Sequence, residues 1–403
     1  MLGIRENFLH KKSIMWKIFQ SFFQRNEMKV VAFIFIVIWM VVGYSTYFTQ
    51  LSGEGGDTTF ATQILYNFRH TLAMDSTFAR SIMDSFDHVW YQSAEQVCSN
   101  SLDVQNLKVP WGHFYFVMYL FVPLVKIFDV QMLVAASHSG IYIAVLFFTY
   151  VLARKKKFSI LHSVLLTILV SQHPLWDAGI HGQFYFNRFF LPFSALIFLI
   201  LESERMKYKT AFLFIACLLA ISTNEIYGIS IFMILFSYMW VYRKWNIKTA
   251  CMAVFFLAMS VVMLFIIQLH VGKATQTSYI RATFGGGIET TVKQLILSIQ
   301  DPNTMQFISI NILFLGIFAF FNTRLVPPLM LILLPNIFVG IGGAEKIGWS
   351  THYHISYFVP LIWLSILGLQ SLHKHQRVQS ILIIAVFIIS SFINPLDLSI
   401  SRK

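Results

Sequence analysis

The sequence predicts an all-α protein, a polytopic transmembrane helical bundle of about 11–12 spans. Three observations lead there. Of 403 residues, 57% are apolar and only 12% are charged, whereas a soluble domain draws about a quarter of its residues from the charged set. Apolar runs close to the length of a membrane crossing recur along the chain. Lysine and arginine gather in short clusters between those runs, as retention of positive charge on one side of a membrane requires. The net charge of +12 is therefore a topological signal, and no nucleic-acid partner is expected. Cys98, Cys217 and Cys251 are scattered, two of them within apolar segments, which excludes a disulfide framework and a zinc site.

Taken in order, the spans fall at 29–48, 131–153, 158–175, 189–202, 210–225, 226–242, 249–270, 306–322, 325–342, 353–370 and 379–394, with an additional apolar piece at 111–127. The first run is too long for a signal peptide and lacks a small-residue cleavage site, so it is retained as a helix. Arg5, Lys11, Lys12, Lys17, Arg25 and Lys29 surround its start and place the N-terminus in the cytoplasm of a cell with the protein multi-pass in its inner (plasma) membrane. Arg154–Lys157, Arg205–Lys209, Arg243–Lys248, Arg324 and Lys374–Arg377 then fall on the same side. A full crossing at 111–127 moves Arg154–Lys157 to the opposite side. That segment, bracketed by Pro110 and Pro123, is therefore read as re-entrant or interfacial.

Residues 1–403 form a single integral membrane domain, with the lipid bilayer as its solvent and two long external loops, 49–110 and 271–305. The first loop carries apolar residues at helical spacing, Phe60, Ile64, Leu65 and Phe68, then Phe78, Ile82 and Phe86. Asp75-Ser76-Thr77 between them is an N-cap signal. Two amphipathic helices lying along the membrane surface are expected. Gly285-Gly286-Gly287 lacks the lysine and hydroxyl of a phosphate loop and reads as a turn.

Polar side chains near hydrocarbon are costly, so their placement carries the functional signal. The basic side holds mainly Lys and Arg. The external ends hold Glu54 and Asp57, His173 and Asp177, His181 through Arg188, Thr223-Asn224-Glu225, and Glu345 through His354. Asp57 sits in Gly53-Glu54-Gly55-Gly56-Asp57, where glycines permit a sharp turn and a carboxylate can serve as general base on a hydroxyl. A helix cap accounts for Asp57 equally well. Glu225 is a second acid, a partner to a basic ligand group, or an interfacial residue. Arg188 suits two-point phosphate recognition, and Trp176, Phe184, Tyr185 and Phe186 suit sugar stacking or an interfacial aromatic belt. His352 and His354, two apart on a helix, point about 200° from each other and cannot share a metal. No metal and no cofactor are expected.

The run Gly56-Asp57-Thr58-Thr59-Phe60-Ala61-Thr62-Gln63-Ile64-Leu65-Tyr66-Asn67, then Trp111-Gly112-His113-Phe114, His173-Pro174, Thr223-Asn224-Glu225 and Thr351-His352-Tyr353, resembles in order and spacing a family of uncharacterised bacterial and archaeal membrane proteins grouped within the GT-C glycosyltransferases. The likeness covers most of residues 50–365. That family often shows an acidic pair early in the first loop; here only Asp57 matches, with Glu54 three residues before it. The resemblance implies a GT-C-like bundle and an inverting glycosyl transfer at the extracytoplasmic face from a polyprenyl-phosphate-linked sugar donor, with Asp57 as base. It makes His113, Glu225, His352 and Tyr353 candidates for lining the same cavity. His173, Asp177 and Arg188 join them as candidate substrate contacts. Two other classes remain open: a transporter or flippase, and a non-catalytic subunit of an envelope-biosynthesis complex. Convergence of the polar residues separates the enzyme from the subunit. Polar residues at mid-membrane and internal symmetry mark the transporter.

Overall fold

The computed structural model describes residues 26–48, 56–70, 115–271, 287–338 and 354–397. Every regular element among them is helical. We number the α-helices α1 (Asn26–Phe48), α2 (Gly56–Asn67), α3 (Val122–Val125), α4 (Val130–Lys155), α5 (Ile160–Ser171), α6 (Pro174–His181), α7 (Phe190–Leu201) and α8 (Lys209–Ile221). They continue as α9 (Tyr227–Tyr242), α10 (Ile247–Val271), α11 (Gly287–Gln300), α12 (Pro302–Phe314), α13 (Val326–Phe338), α14 (Ile355–Gln370) and α15 (Gln376–Asp397). Short 3-10 turns lead into α3 and α7 and separate α12 from α13.

Among the described residues three helices are long and apolar enough to cross a membrane: α1, α4 and α10, the last over Ile247–Ile266. They differ in position. Two thirds of the apolar window of α4 is buried, against 6% for α1 and 22% for the α10 window. Phe33, Ile34, Val41 and Tyr44 on α1, and Val254, Val261 and Phe265 on α10, face outward. Apolar rims around a buried central helix suit a hydrocarbon solvent and would be costly in water. The core between them is built from α4, α7, α9 and α14, with Trp363 stacked on Phe198 at 4.8 Å.

Local sequence sets the helix starts. The Asp129 carboxylate accepts from Met132 N at 3.0 Å to open α4. The Ser159 hydroxyl accepts from His162 N at 3.2 Å to open α5, and Asp301 accepts from Thr304 N ahead of Pro302 to open α12. Each side chain satisfies a backbone donor that the first turn leaves without a helical acceptor. Close helix contacts explain two glycines. A methyl group at Gly228 would collide with the Phe256 carbonyl of α10, and one at Gly368 with the Phe318 carbonyl. Small residues let backbones approach where apolar solvent gives helices no hydrophobic reason to associate.

The basic clusters meet at one end of the bundle. Arg154 at the end of α4 is ion-paired with Glu27 at the start of α1, and Tyr150 donates to the same carboxylate at 2.7 Å. Trp39 Nε1 reaches Ala136 O further along, so α1 and α4 are antiparallel. Lys156 is ion-paired with Glu202 and donates to Tyr242 Oη at 2.6 Å. Tyr242 and Trp363 donate to Glu202 Oε1 at 2.6 and 2.7 Å. His162 at the start of α5 is bonded to Ser380 of α15 at 2.9 Å. A buried network thus ties the Arg154–Lys157, Glu202–Lys209 and Tyr242–Lys248 corners together.

Between α1 and α4 the extra apolar piece forms a 3-10 helix (Phe116–Phe121) and one turn, α3. Ten residues in these forms span about 18 Å, well short of a 30 Å hydrocarbon core. Pro123 lies in the first turn of α3, where its missing N–H costs nothing. Reporter fusions are expected to place residue 100 outside and residue 156 inside. An outside signal at 156 would mean that the 116–125 piece crosses after all.

Three expectations change. The apolar face of α2, formed by Ala61, Ile64, Leu65 and Phe68, is buried in the protein core and not laid on lipid. A 3.6-residue period marks a face to be covered but does not say by what. The second expected surface helix lies outside the described residues. The loop at 271–305 contains α11, opening at Gly287, so the glycine run leads into a helix that bears Glu289 and Lys293 beside Val292, Ile296 and Leu297. Several spans are also shorter than read from the sequence. The break between α8 and α9 takes residues 222–226, and α5 ends at Ser171.

Candidate functional site

The end opposite the basic clusters gathers the polar residues. Thr58 is the anchor for the first-loop helix: its hydroxyl accepts from Phe184 N at 2.9 Å. Asp57, in the first turn of α2, therefore begins beside the Gly179–Arg188 segment that joins α6 to α7. Glu54, His113, His352 and Tyr353 lie outside the described residues.

Arg188 is enclosed, with none of it exposed. Its guanidinium donates from Nη1 to the Tyr142 hydroxyl at 2.6 Å and to the Gly179 carbonyl. It also lies over the Tyr142 and Tyr185 rings at 5.5 and 5.3 Å. His138 of α4 bonds Ile180 O at 2.9 Å, and Trp176 Nε1 donates to Tyr142 O at 3.0 Å. Arg188 thus ties α4 to the α6–α7 connection. Read from sequence as an outward cation for phosphate, it is instead turned into the protein, because two tyrosines and a backbone carbonyl offer it partners there. Arg188→Ala is expected to lower stability by about 2–4 kcal/mol, since it leaves buried acceptors without their donor. The check is thermal unfolding of purified protein; unchanged stability would return Arg188 to ligand binding.

His173 is fully buried between the rings of Phe314 (5.5 Å) and Phe358 (4.9 Å). The structure ends α5 two residues earlier, so His173 sits in the turn beyond that helix. Its Nδ1 accepts from Leu175 N at 3.1 Å and caps α6. His354 is bonded to Tyr357 Oη at 2.9 Å, and Asn311 donates to the same oxygen at 3.4 Å. The four side chains form a buried polar cluster where the α5–α6 turn, α12 and α14 meet.

Glu225 is also fully buried. Its carbonyl accepts from Ser260 of α10, and Asn224 caps the turn by accepting from Ile226 N at 3.0 Å. Ser222 O accepts from Val117 N at 2.9 Å, fixing the 116–121 piece to this corner. The Asp177 carboxylate is solvent-reachable, 40% exposed and 4.0 Å from His181 one turn on.

The described candidates thus fall in three neighbourhoods away from the basic clusters: the α2 start with Arg188 (the latter at the middle of α4), the His173 cluster, and the Glu225 corner. Sequence reasoning passed over Tyr142, Asn187, Asn311 and Tyr357. Asn187 is fully buried and its amide has no hydrogen-bond partner among the described residues. A single amide in an apolar run, as at Asn311 between Phe307 and Phe314, was the available signal. No group of three or more metal-ligating side chains occurs among the described residues. Neither a family model, nor a curated protein, nor a solved structure matches the chain.

Proposed function

We propose that this protein is a polytopic membrane glycosyltransferase of GT-C type, acting at the end of the bundle opposite the basic loops. The observation that carries the reading is the Thr58–Phe184 hydrogen bond. It brings the start of the Asp57-bearing helix onto the segment leading to Arg188, away from the face where lysine and arginine collect. In this reading the donor is a sugar linked to polyprenyl phosphate, whose prenyl chain lies along the apolar exterior. The Asp57 carboxylate takes the proton of an acceptor hydroxyl as its oxygen bonds to the anomeric carbon. The bond from that carbon to the phosphate oxygen breaks, polyprenyl phosphate leaves, and the anomeric configuration inverts. Asp177 is the exposed carboxylate placed to orient an acceptor. Arg188, His173 and Glu225 hold the floor of the site from beneath.

The test is transfer by purified protein in lipid nanodiscs from synthetic polyprenyl-phosphate hexose and pentose donors. The expected products are free polyprenyl phosphate and a glycoside of inverted configuration. Movement of intact donor between leaflets without cleavage would point to a flippase instead. Neither cleavage nor movement would leave the non-catalytic subunit.

A further inference from the structure

A second site lies at the basic end, away from Asp57. Between the end of α9 and the start of α13 is a cleft of about 440 Å³ lined by Trp240, Arg243, Trp245, Thr323, Arg324 and Pro327. Two guanidinium groups from different parts of the chain therefore share one hollow. No acidic residue occurs in 240–250 or 320–330.

The backbone fixes both arginines. Arg243 ends α9 in the left-handed region, with φ at 51°, and its N–H returns to Trp240 O at 3.3 Å. Glycine usually fills that helix-closing position because a side chain is strained there. Here a long cation stands where the backbone favours none. Arg324 is set by Asn322, whose side-chain oxygen accepts from Arg324 N at 3.2 Å. The two indoles share a platform: Phe236 stacks with Trp240 at 6.2 Å and meets Trp245 edge-on at 5.6 Å. Both indoles remain exposed, as do Ile247 and Phe320 nearby in the chain.

We infer that this cleft binds the phosphodiester headgroup of an anionic phospholipid. Paired guanidiniums suit phosphate oxygens, tryptophan rings suit the glycerol level of a bilayer, and the exposed aliphatic rim suits acyl chains. Basic pockets between helices take such headgroups in general. A free phosphate ion offers nothing to the indoles and the apolar rim.

The experiment measures binding of phosphatidylglycerol to full-length protein in detergent by native mass spectrometry. Fluorescence quenching by dibrominated phosphatidylglycerol, against dibrominated phosphatidylcholine, gives the second readout. Arg243→Gln with Arg324→Gln should weaken phosphatidylglycerol binding on the order of tenfold. Lys244→Gln with Lys248→Gln, equal in charge and exposed on the same corner, should leave it unchanged. In protein with native arginines, preferential quenching by the anionic lipid should disappear in Trp240→Phe/Trp245→Phe. Millimolar inorganic phosphate should not displace the lipid. Equal weakening by both charge-matched pairs, quenching that does not depend on Trp240 and Trp245, or displacement by inorganic phosphate would each overturn the inference.

Discussion

Glu202→Ala is expected to destabilise the protein by about 3–5 kcal/mol, among the largest single-residue losses available in this fold. Glu202 is 6% exposed and its partner Lys156 12%, so water replaces little of what is removed. Its carboxylate accepts from Lys156, Tyr242 and Trp363, and alanine leaves all three donors inside the protein. Those donors stand on the α4 end, α9 and α14, so the loss loosens the packing of the central helices together. Glu202→Gln keeps an acceptor but no charge and should fall between the two. The double variant Lys156→Met/Glu202→Met removes charge and counter-charge together and should recover much of the stability. Unfolding midpoints of the three purified variants and the unaltered protein check this. Equal stability of Glu202→Ala and the unaltered protein would show the network to be dispensable.

The helical architecture was legible because its cause is chemical and spread over the whole chain. With so few charged residues, buried polar groups had to be satisfied within helices. That Arg154–Lys157 and Lys374–Arg377 share one end of the bundle could be read from loop charge alone. Ends were less legible: Ser159, His173 and Asp301 each act as caps, yet only the folded chain shows which side chain meets which backbone donor. The candidate site was legible as a set of positions and much less so as orientations. Arg188 and Glu225 look alike in sequence, polar groups at helix ends, but both are buried; Arg188 turns inward because Tyr142, distant in the chain, and the Gly179 carbonyl of the preceding helix offer it partners. The same holds for α2, whose apolar face found protein. Tyr142 and Tyr357 were missed because a tyrosine in an apolar span carries no periodic signature of its hydroxyl's partner.

Asp57→Asn is expected to reduce turnover by about 10²–10⁴-fold while leaving donor binding intact, the signature of a base that acts only as the acceptor proton is lost. Asparagine keeps the side chain's shape and one acceptor oxygen but removes its basicity. The position of Asp57 in the first turn of α2, next to the Thr58 anchor, makes gross misfolding an unsuitable explanation if unfolding midpoints are unchanged. Glu54→Gln is the control, because Glu54 lies three residues away and is the other carboxylate of this glycine-rich stretch of sequence. The most direct measurement is a single turnover: labelled polyprenyl-phosphate sugar is bound to protein in nanodiscs, acceptor is added, and bound and cleaved donor are counted over time. The glycosyltransferase reading predicts rapid cleavage by the unaltered protein and by Glu54→Gln, and donor that stays bound but uncleaved in Asp57→Asn. Cleavage by Asp57→Asn at the unaltered rate would contradict it.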